Sequence, residues 1–274
     1  MSGHKPINTG RNLPMATAVG LGLLGGVIAS LYFDRWFFAI AAAVAGFFAS
    51  RELIALLRSR GAKLSSVWLP IFVSAMILFG YGQGLAAALV MGVFGLLVLW
   101  AVRLSAGVDG YTADVTASAF IILYVGAGIS FAAALANHEN GFGRVVAIIL
   151  LTAGNDTGGY FAGILAGRHP MLASISPKKT WEGFAGSVAL QSIVGIALIP
   201  LLLDVPWWQG WLFALAMTVT ATLGDLMESA IKRDAGAKDS GDILPGHGGM
   251  LDRIDGLLLN APMAWIWITI ILGV

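Results

Sequence analysis

From residue 64 to residue 102 the chain runs for 39 positions without a single Asp, Glu, Lys or Arg. A water-soluble domain cannot leave that much chain uncharged and stay solvated, whereas the core of a bilayer demands it. The pattern repeats at 12–33, 36–50, 115–138, 183–203, 205–224 and 256–274. Over the whole chain only 11% of residues are charged and 58% are hydrophobic, against roughly 25% charged in an average soluble protein. A soluble globule is excluded, and a net charge of only +1 with so much apolar content excludes a disordered chain. The expected fold class is all-α, a polytopic integral membrane protein.

A helix needs about 20 mainly apolar residues to cross hydrocarbon. Most gaps are one crossing long. The longest is two, divided by the turn-like Gly80-Tyr81-Gly82-Gln83-Gly84. The spacing predicts nine transmembrane helices, near 14–32, 36–57, 67–80, 84–103, 114–135, 144–166, 183–203, 208–231 and 254–273. Lys5 and Arg11 precede the first apolar run, which continues without a clean cleavage site and reads as a retained helix. With nine spans, one side collects the N-terminus and the loops near 58–66, 103–113, 167–182 and 232–253. That side holds 14 of the 16 Lys and Arg residues, Arg51 included; Arg35 and Arg144 fall on the other. The split places the N-terminus and those loops in the cytoplasm. Arg58, Arg60 and Lys63 are assigned to this topology rather than to chemistry. No cysteine is present, so disulfides and thiolate chemistry are excluded. No repeat or linker divides residues 1–274, which read as one integral membrane domain.

Charge returns in one place. Residues 225–255 contain 11 of the 31 charges, seven of them carboxylates. Asp225, Glu228, Ser229 and Lys232 recur at i, i+3, i+4, i+7 and share one helix face. Asp252 and Asp255 are i, i+3 at the start of the last helix. Carboxylates at a membrane boundary are costly unless they face water, an ion or a counter-charge. Clustered acids suit a hard cation such as Mg²⁺; ion pairing of Asp225 or Glu228 with Lys232 or Arg253 is the alternative. Between the two helices, Pro245-Gly246-His247-Gly248-Gly249 lets backbone N–H groups approach phosphate oxygens, with Arg233, Lys238 and Arg253 adding positive charge. His247 reads equally well as a phosphate donor or as a loop histidine. A second polar patch is Asn155-Asp156-Thr157-Gly158-Gly159-Tyr160 inside the sixth apolar segment. It is followed by Ser174-Ile175-Ser176-Pro177-Lys178-Lys179-Thr180-Trp181-Glu182-Gly183. Lys178 and Lys179 suit phosphate or, equally, ordinary interfacial placement, and Thr180-Trp181-Glu182 suits a helix start.

The run from Ser229 to Asp255 resembles the signature of the phosphatidate cytidylyltransferase (CDP-diacylglycerol synthase) family, S-x-x-K-R-x4-K-D-x5-P-x-H-G-G-x-x-D-R-x-D, at every specified position. Asp156-Thr-Gly-Gly-Tyr160 and Ile175-Ser-Pro-Lys-Lys-Thr-Trp-Glu-Gly183 resemble the family's other blocks, so the motif-bearing half is about 144–274. Gly159 stands where Ala is expected, and Gly256 where Ser commonly follows the last Asp. The resemblance implies transfer of CMP from CTP to phosphatidic acid with Mg²⁺ and, optionally, a second cation. It implies membrane lipids as surroundings, no nucleic-acid partner, an optional homodimer, and a multi-pass protein of the bacterial inner membrane with its site facing the cytoplasm. By that resemblance Asp225, Asp252, Asp255, Lys238 and Asp239 are catalytic candidates. Asp225, Asp252, Asp255 and Glu228 are the metal candidates. Asp156, Ser176, Lys178, Lys179, Lys232, Arg233, His247, Gly248, Gly249 and Arg253 are the substrate-binding candidates. A CTP-dependent lipid kinase and an ion or solute transporter using Asp156, Asp225 and Glu228 are the competing functions. A CDP-alcohol phosphotransferase is disfavoured, because its D-G-x2-A-R-x8-G-x3-D-x3-D pattern is absent.

Overall fold

The computed structural model describes residues 22, 25–241, 243 and 248–273. Within them every expected apolar segment is helical. Helix α1 covers residues 25–33; residue 22 is helical too, and the other residues of the expected first helix lie outside the described ones. Then follow α2 (Arg35–Ser59), α3 (Trp68–Gln83), α4 (Leu85–Leu104), α5 (Tyr111–Ala136) and α6 (Gly141–Ala166). A two-stranded hairpin, β1 (Pro170–Leu172) and β2 (Ser176–Thr180), leads into α7 (Trp181–Ala197), α8 (Ile199–Leu203), α9 (Trp207–Asp234) and α10 (Leu251–Leu272). Six of these helices (α2, α4, α5, α6, α9 and α10) are long and apolar enough to cross a membrane.

Three expectations are corrected. The third helix does not stop at residue 80. It continues to Gln83, because Gly80 packs against Ser130, leaving 3.2 Å between its missing Cβ and that of Ser130, and the reversal falls at Gly84, φ +83°. The seventh helix breaks at Leu198, because Pro200 at the head of α8 has no N–H to continue the ladder. The segment 167–182 is not simply a loop. Pro170 pairs with Thr180 and Leu172 with Ser176, antiparallel, so the all-α reading needs this one small hairpin added. As Thr180-Trp181-Glu182 suggested, Thr180 caps α7, its hydroxyl accepting from Gly183 N–H at 3.1 Å. Glu182 in turn accepts from the backbone N–H groups of Arg168 and His169 and holds the hairpin to the helix start.

The four basic loops meet at one end. Arg60 pairs with Asp234 at 3.1 Å, Lys63 N–H donates to Asp114 at 2.7 Å, and Arg233 reaches the Ile175 carbonyl. At the other end Arg35 binds the His138 carbonyl and Asn140 the Leu202 carbonyl. The Arg60–Asp234 pair is 57% and 70% exposed, and an exposed pair contributes about 0–1 kcal/mol. Arg60→Gln should therefore leave specific activity within about twofold of the parent in a turnover assay.

Inside the helical bundle, small residues allow backbones to touch. A Cβ on Gly158 would sit 2.7 Å from the Gly186 carbonyl oxygen, so α6 and α7 approach along a seam where only glycine fits. Polar ties lock the same helices: Ser187 Oγ donates to the Asn155 carbonyl at 2.6 Å, and Gln191 donates to that of Leu151. Asn260 on α10 donates to Thr152 Oγ1 at 2.8 Å and accepts from Thr220 at 2.6 Å, joining α6, α9 and α10. These three helices and the hairpin frame the site.

Candidate active site

Asp156 lies about three turns from the end of α6, Asp225 about two and a half turns from the end of α9, and Lys178 and Lys179 on β2. The glycine seam draws α6 against α7, and the Thr180 cap fixes where β2 hands over to α7. These side chains therefore face one cavity of about 310 Å³, lined also by Ser176, Asn155, Thr222 and Ser187. That volume is at the lower end of small-molecule sites. Lys179 pairs with Asp225, and Thr222 donates to Asn155 Oδ1 at 3.4 Å. On the other side, α10 presses on α9 where a Cβ on Gly224 would meet the Asp255 carbonyl oxygen at 2.9 Å, and one on Gly256 would meet Asp225 Oδ1 at 3.2 Å. That contact brings Asp255 into the electrostatic reach of Asp225 and Asp156. Asp156 and Asp225, with Asp255 beside them, thus stand with the ammonium groups of Lys178 and Lys179 at the edge of an apolar bundle.

A second constellation lies beside it. Lys232 on α9 is 2.7 Å from Asp252 Oδ1 on α10 and forms an ion pair with Glu228 one turn back. Asp252 Oδ2 accepts from Ser240 N–H at 3.0 Å, Ser240 Oγ at 2.9 Å and Gly249 N–H at 2.8 Å. A residue that sequence reading missed completes this cluster. Glu52, on α2 and only 5% exposed, accepts from Met250 N–H and Leu251 N–H, both at 2.8 Å, and from Ser240 Oγ at 3.2 Å. It clips the loop between α9 and α10 to the N-terminal half of the chain. A lone carboxylate in a mainly apolar helix was the available signal. What hid it is that its partners lie 188 to 199 residues away.

The clip explains Gly249. A Cβ there would fall 2.5 Å from Glu52 Oε2 and still closer to Ser240 Oγ, so only glycine lets this backbone reach both carboxylates. The Gly249 N–H, expected to be offered to phosphate, is given to Asp252, and those of Met250 and Leu251 go to Glu52. Gly249→Ala should push the loop off its carboxylates and destabilise the protein by about 1–3 kcal/mol, read as a drop in the thermal midpoint of the purified protein together with lost turnover.

The sequence-predicted residues therefore divide. Asp156, Ser176, Lys178, Lys179 and Asp225 share the cavity, with Asp255 beside it. Glu228, Lys232, Asp252 and Gly249 share the clip, and Gly248, φ +82°, turns against Asp252. Here the ion-pair alternative for Glu228 is the arrangement observed. Arg253 is exposed within electrostatic reach of Asp156, while Arg233 spends its guanidinium on the Ile175 and Ala237 carbonyls. Lys238 and Asp239 are exposed on the loop. His247 lies outside the described residues. Among the described residues, no three His, Cys, Asp or Glu side chains converge as a ready-made metal site.

The model of a family described as cytidylyltransferases matches residues 15–271. The chain belongs to the cytidylyltransferase family. It is an enzyme, a nucleotidyltransferase, and its apolar helices make it a membrane transferase of lipid metabolism. Similar proteins include the phosphatidate cytidylyltransferase of Mycobacterium leprae, 36% identical over 96% of this chain and 89% of that protein. That of Mycobacterium bovis is 37% identical over 96% and 90%. The chloroplastic phosphatidate cytidylyltransferase 5 of Arabidopsis thaliana is 33% identical over 91% and 70%. Two constellations thus lie side by side: a cavity lined by acidic and cationic groups, and a clipped loop that ties α9 to α10.

Proposed function

We propose that the protein transfers the CMP group of CTP to phosphatidic acid, releasing pyrophosphate and leaving CDP-diacylglycerol in the membrane. The observation that carries this reading is the cavity in which Asp156, Lys178, Lys179 and Asp225 meet at the edge of the helical bundle. It offers a water-soluble triphosphate and a membrane-held phosphate a common place. The lipid phosphate is already an anion, so its oxygen attacks the α-phosphorus of CTP without a Ser or Cys nucleophile and without a base. The new P–O–P link forms as the bond to the β-phosphate breaks, and that electron pair leaves with pyrophosphate. The chain must gather and screen negative charge. Lys178 faces the cavity for this, Lys179 is held toward it by Asp225, and Arg253 stands within electrostatic reach of Asp156.

The carboxylates gathered there fit a divalent cation held by one or two of them together with phosphate oxygens. Asp225 and Asp255, with Asp156 facing them, would hold Mg²⁺, which supplies positive charge to the reacting phosphate oxygens. Asp252 and Glu228 serve the same reaction by seating Lys232. The basic loops gathered at the site's end, with 14 of 16 Lys and Arg on that side, support nine crossings, a cytoplasmic N-terminus and a cytoplasm-facing site in a bacterial inner membrane. The test is pyrophosphate release from CTP by the purified protein. Release should require both phosphatidic acid and Mg²⁺; release independent of phosphatidic acid would contradict the reading.

A further inference from the structure

A second cavity, of about 1020 Å³, lies in the N-terminal half between the loop after α2 and helices α3, α4 and α5. It shares no lining residue with the catalytic cavity. Its ionisable lining is Arg58, Lys63, Arg103 and Asp114. The one acid is already committed, accepting from Arg103 Nε at 2.6 Å and from the Lys63 backbone N–H at 2.7 Å. Arg58 spends two donors on the Leu64 carbonyl, which leaves its charge unneutralised. The Lys63 ammonium, on an exposed side chain, meets no carboxylate among the described residues. The rim therefore carries two uncompensated positive charges. Deeper in, the wall turns apolar and aromatic, with Phe72 and Leu99, and the Trp100 indole N–H is fixed on Ser118 Oγ at 3.0 Å. Trp68 stands 60% exposed at the mouth, where an interfacial aromatic belongs.

A cationic rim over an apolar shaft, at the end of the bundle where the basic loops gather, has the chemistry of an anionic phospholipid turned on its head. We propose that this cavity binds one anionic phospholipid of the surrounding leaflet, its phosphate between Arg58 and Lys63 and an acyl chain along Phe72 and Leu99. The volume is ample for a headgroup, glycerol and part of a chain. The site is separate from substrate turnover, so it survives or fails independently of the proposed reaction.

The experiment uses the full-length protein, purified in neutral detergent and titrated with phosphatidylglycerol or phosphatidylcholine, with retained lipid counted by native mass spectrometry. Phosphatidylglycerol should be retained in preference, and Lys63→Glu, a change on an exposed side chain, should weaken that retention about tenfold. Lys178→Gln, in the catalytic cavity, should leave it unchanged, and soluble glycerol phosphate should not displace the lipid. Equal retention of the two lipids, indifference to Lys63→Glu, an equal loss in Lys178→Gln, or displacement by glycerol phosphate would each overturn the proposal. So would a lipid-free dimer that Lys63→Glu dissociates, since a second copy of the chain would then be the occupant.

Discussion

Asp252→Asn should lower turnover by about a hundredfold to a thousandfold, while the protein still inserts and purifies as a single species. Asp252 brings together the Lys232 ammonium, both donors of Ser240 and the N–H of Gly249. An amide of the same shape cannot balance Lys232, and one of its two polar atoms is a donor turned toward donors. Lys232 would be left with Glu228 alone, and the start of α10, which carries Asp255 toward the cavity, would lose its anchor. Removing one partner of a buried pair costs about 3–5 kcal/mol, far more than an exposed pair contributes. Steady-state turnover normalised to folded protein is the measurement, and near-normal activity would refute this role.

Glu52→Ala should have a comparable effect from the opposite end of the chain. The Met250 and Leu251 N–H groups lose their acceptor at once, and each buried unsatisfied group costs about 1–3 kcal/mol. Activity should fall by about a hundredfold, and amide exchange of residues 248–251 should accelerate while exchange in α6 stays slow. Glu52→Gln, which keeps one acceptor oxygen, should lose less. Unchanged exchange of the Met250 and Leu251 amides in Glu52→Ala would show that the clip does not hold the loop. The contrast with Arg60→Gln is instructive, since both residues lie near the same end of α2 and only one is buried.

How much of this was legible in the sequence depends on where the governing constraint lies. The helices were legible because lipid imposes a local rule: a segment must be apolar for about one membrane thickness and must satisfy its own backbone. Boundaries drifted where packing overrode local signals, as when Gly80 and Gly82 stayed helical and Pro200 split the seventh helix. The β1–β2 hairpin was hidden because five residues of Ser-Pro-Lys-Lys-Thr carry no alternation to announce a strand. In the site, Asp156 and Asp225 were recognisable as carboxylates out of place and Lys178 and Lys179 only through their motif, and the structure gives the four one cavity. The separation of the acids into a cavity group and a clip group was not legible. It depends on which oxygens the backbone of 240–251 claims, and on Glu52, nearly two hundred residues upstream. The glycine pair 248–249 shows the same limit. Glycine signals close approach to an acceptor, but the sequence cannot say whether that acceptor is a phosphate or a carboxylate of the protein itself.

In the proposed reaction CMP, not a terminal phosphate, moves to the lipid. Purified protein is given phosphatidic acid, Mg²⁺ and CTP labelled in parallel at the α- or the γ-phosphate, and the lipid fraction is counted. α-Label should enter the lipid and γ-label should leave as pyrophosphate. γ-Label in the lipid, with α-label remaining in soluble CDP, would mark a lipid kinase and contradict the account.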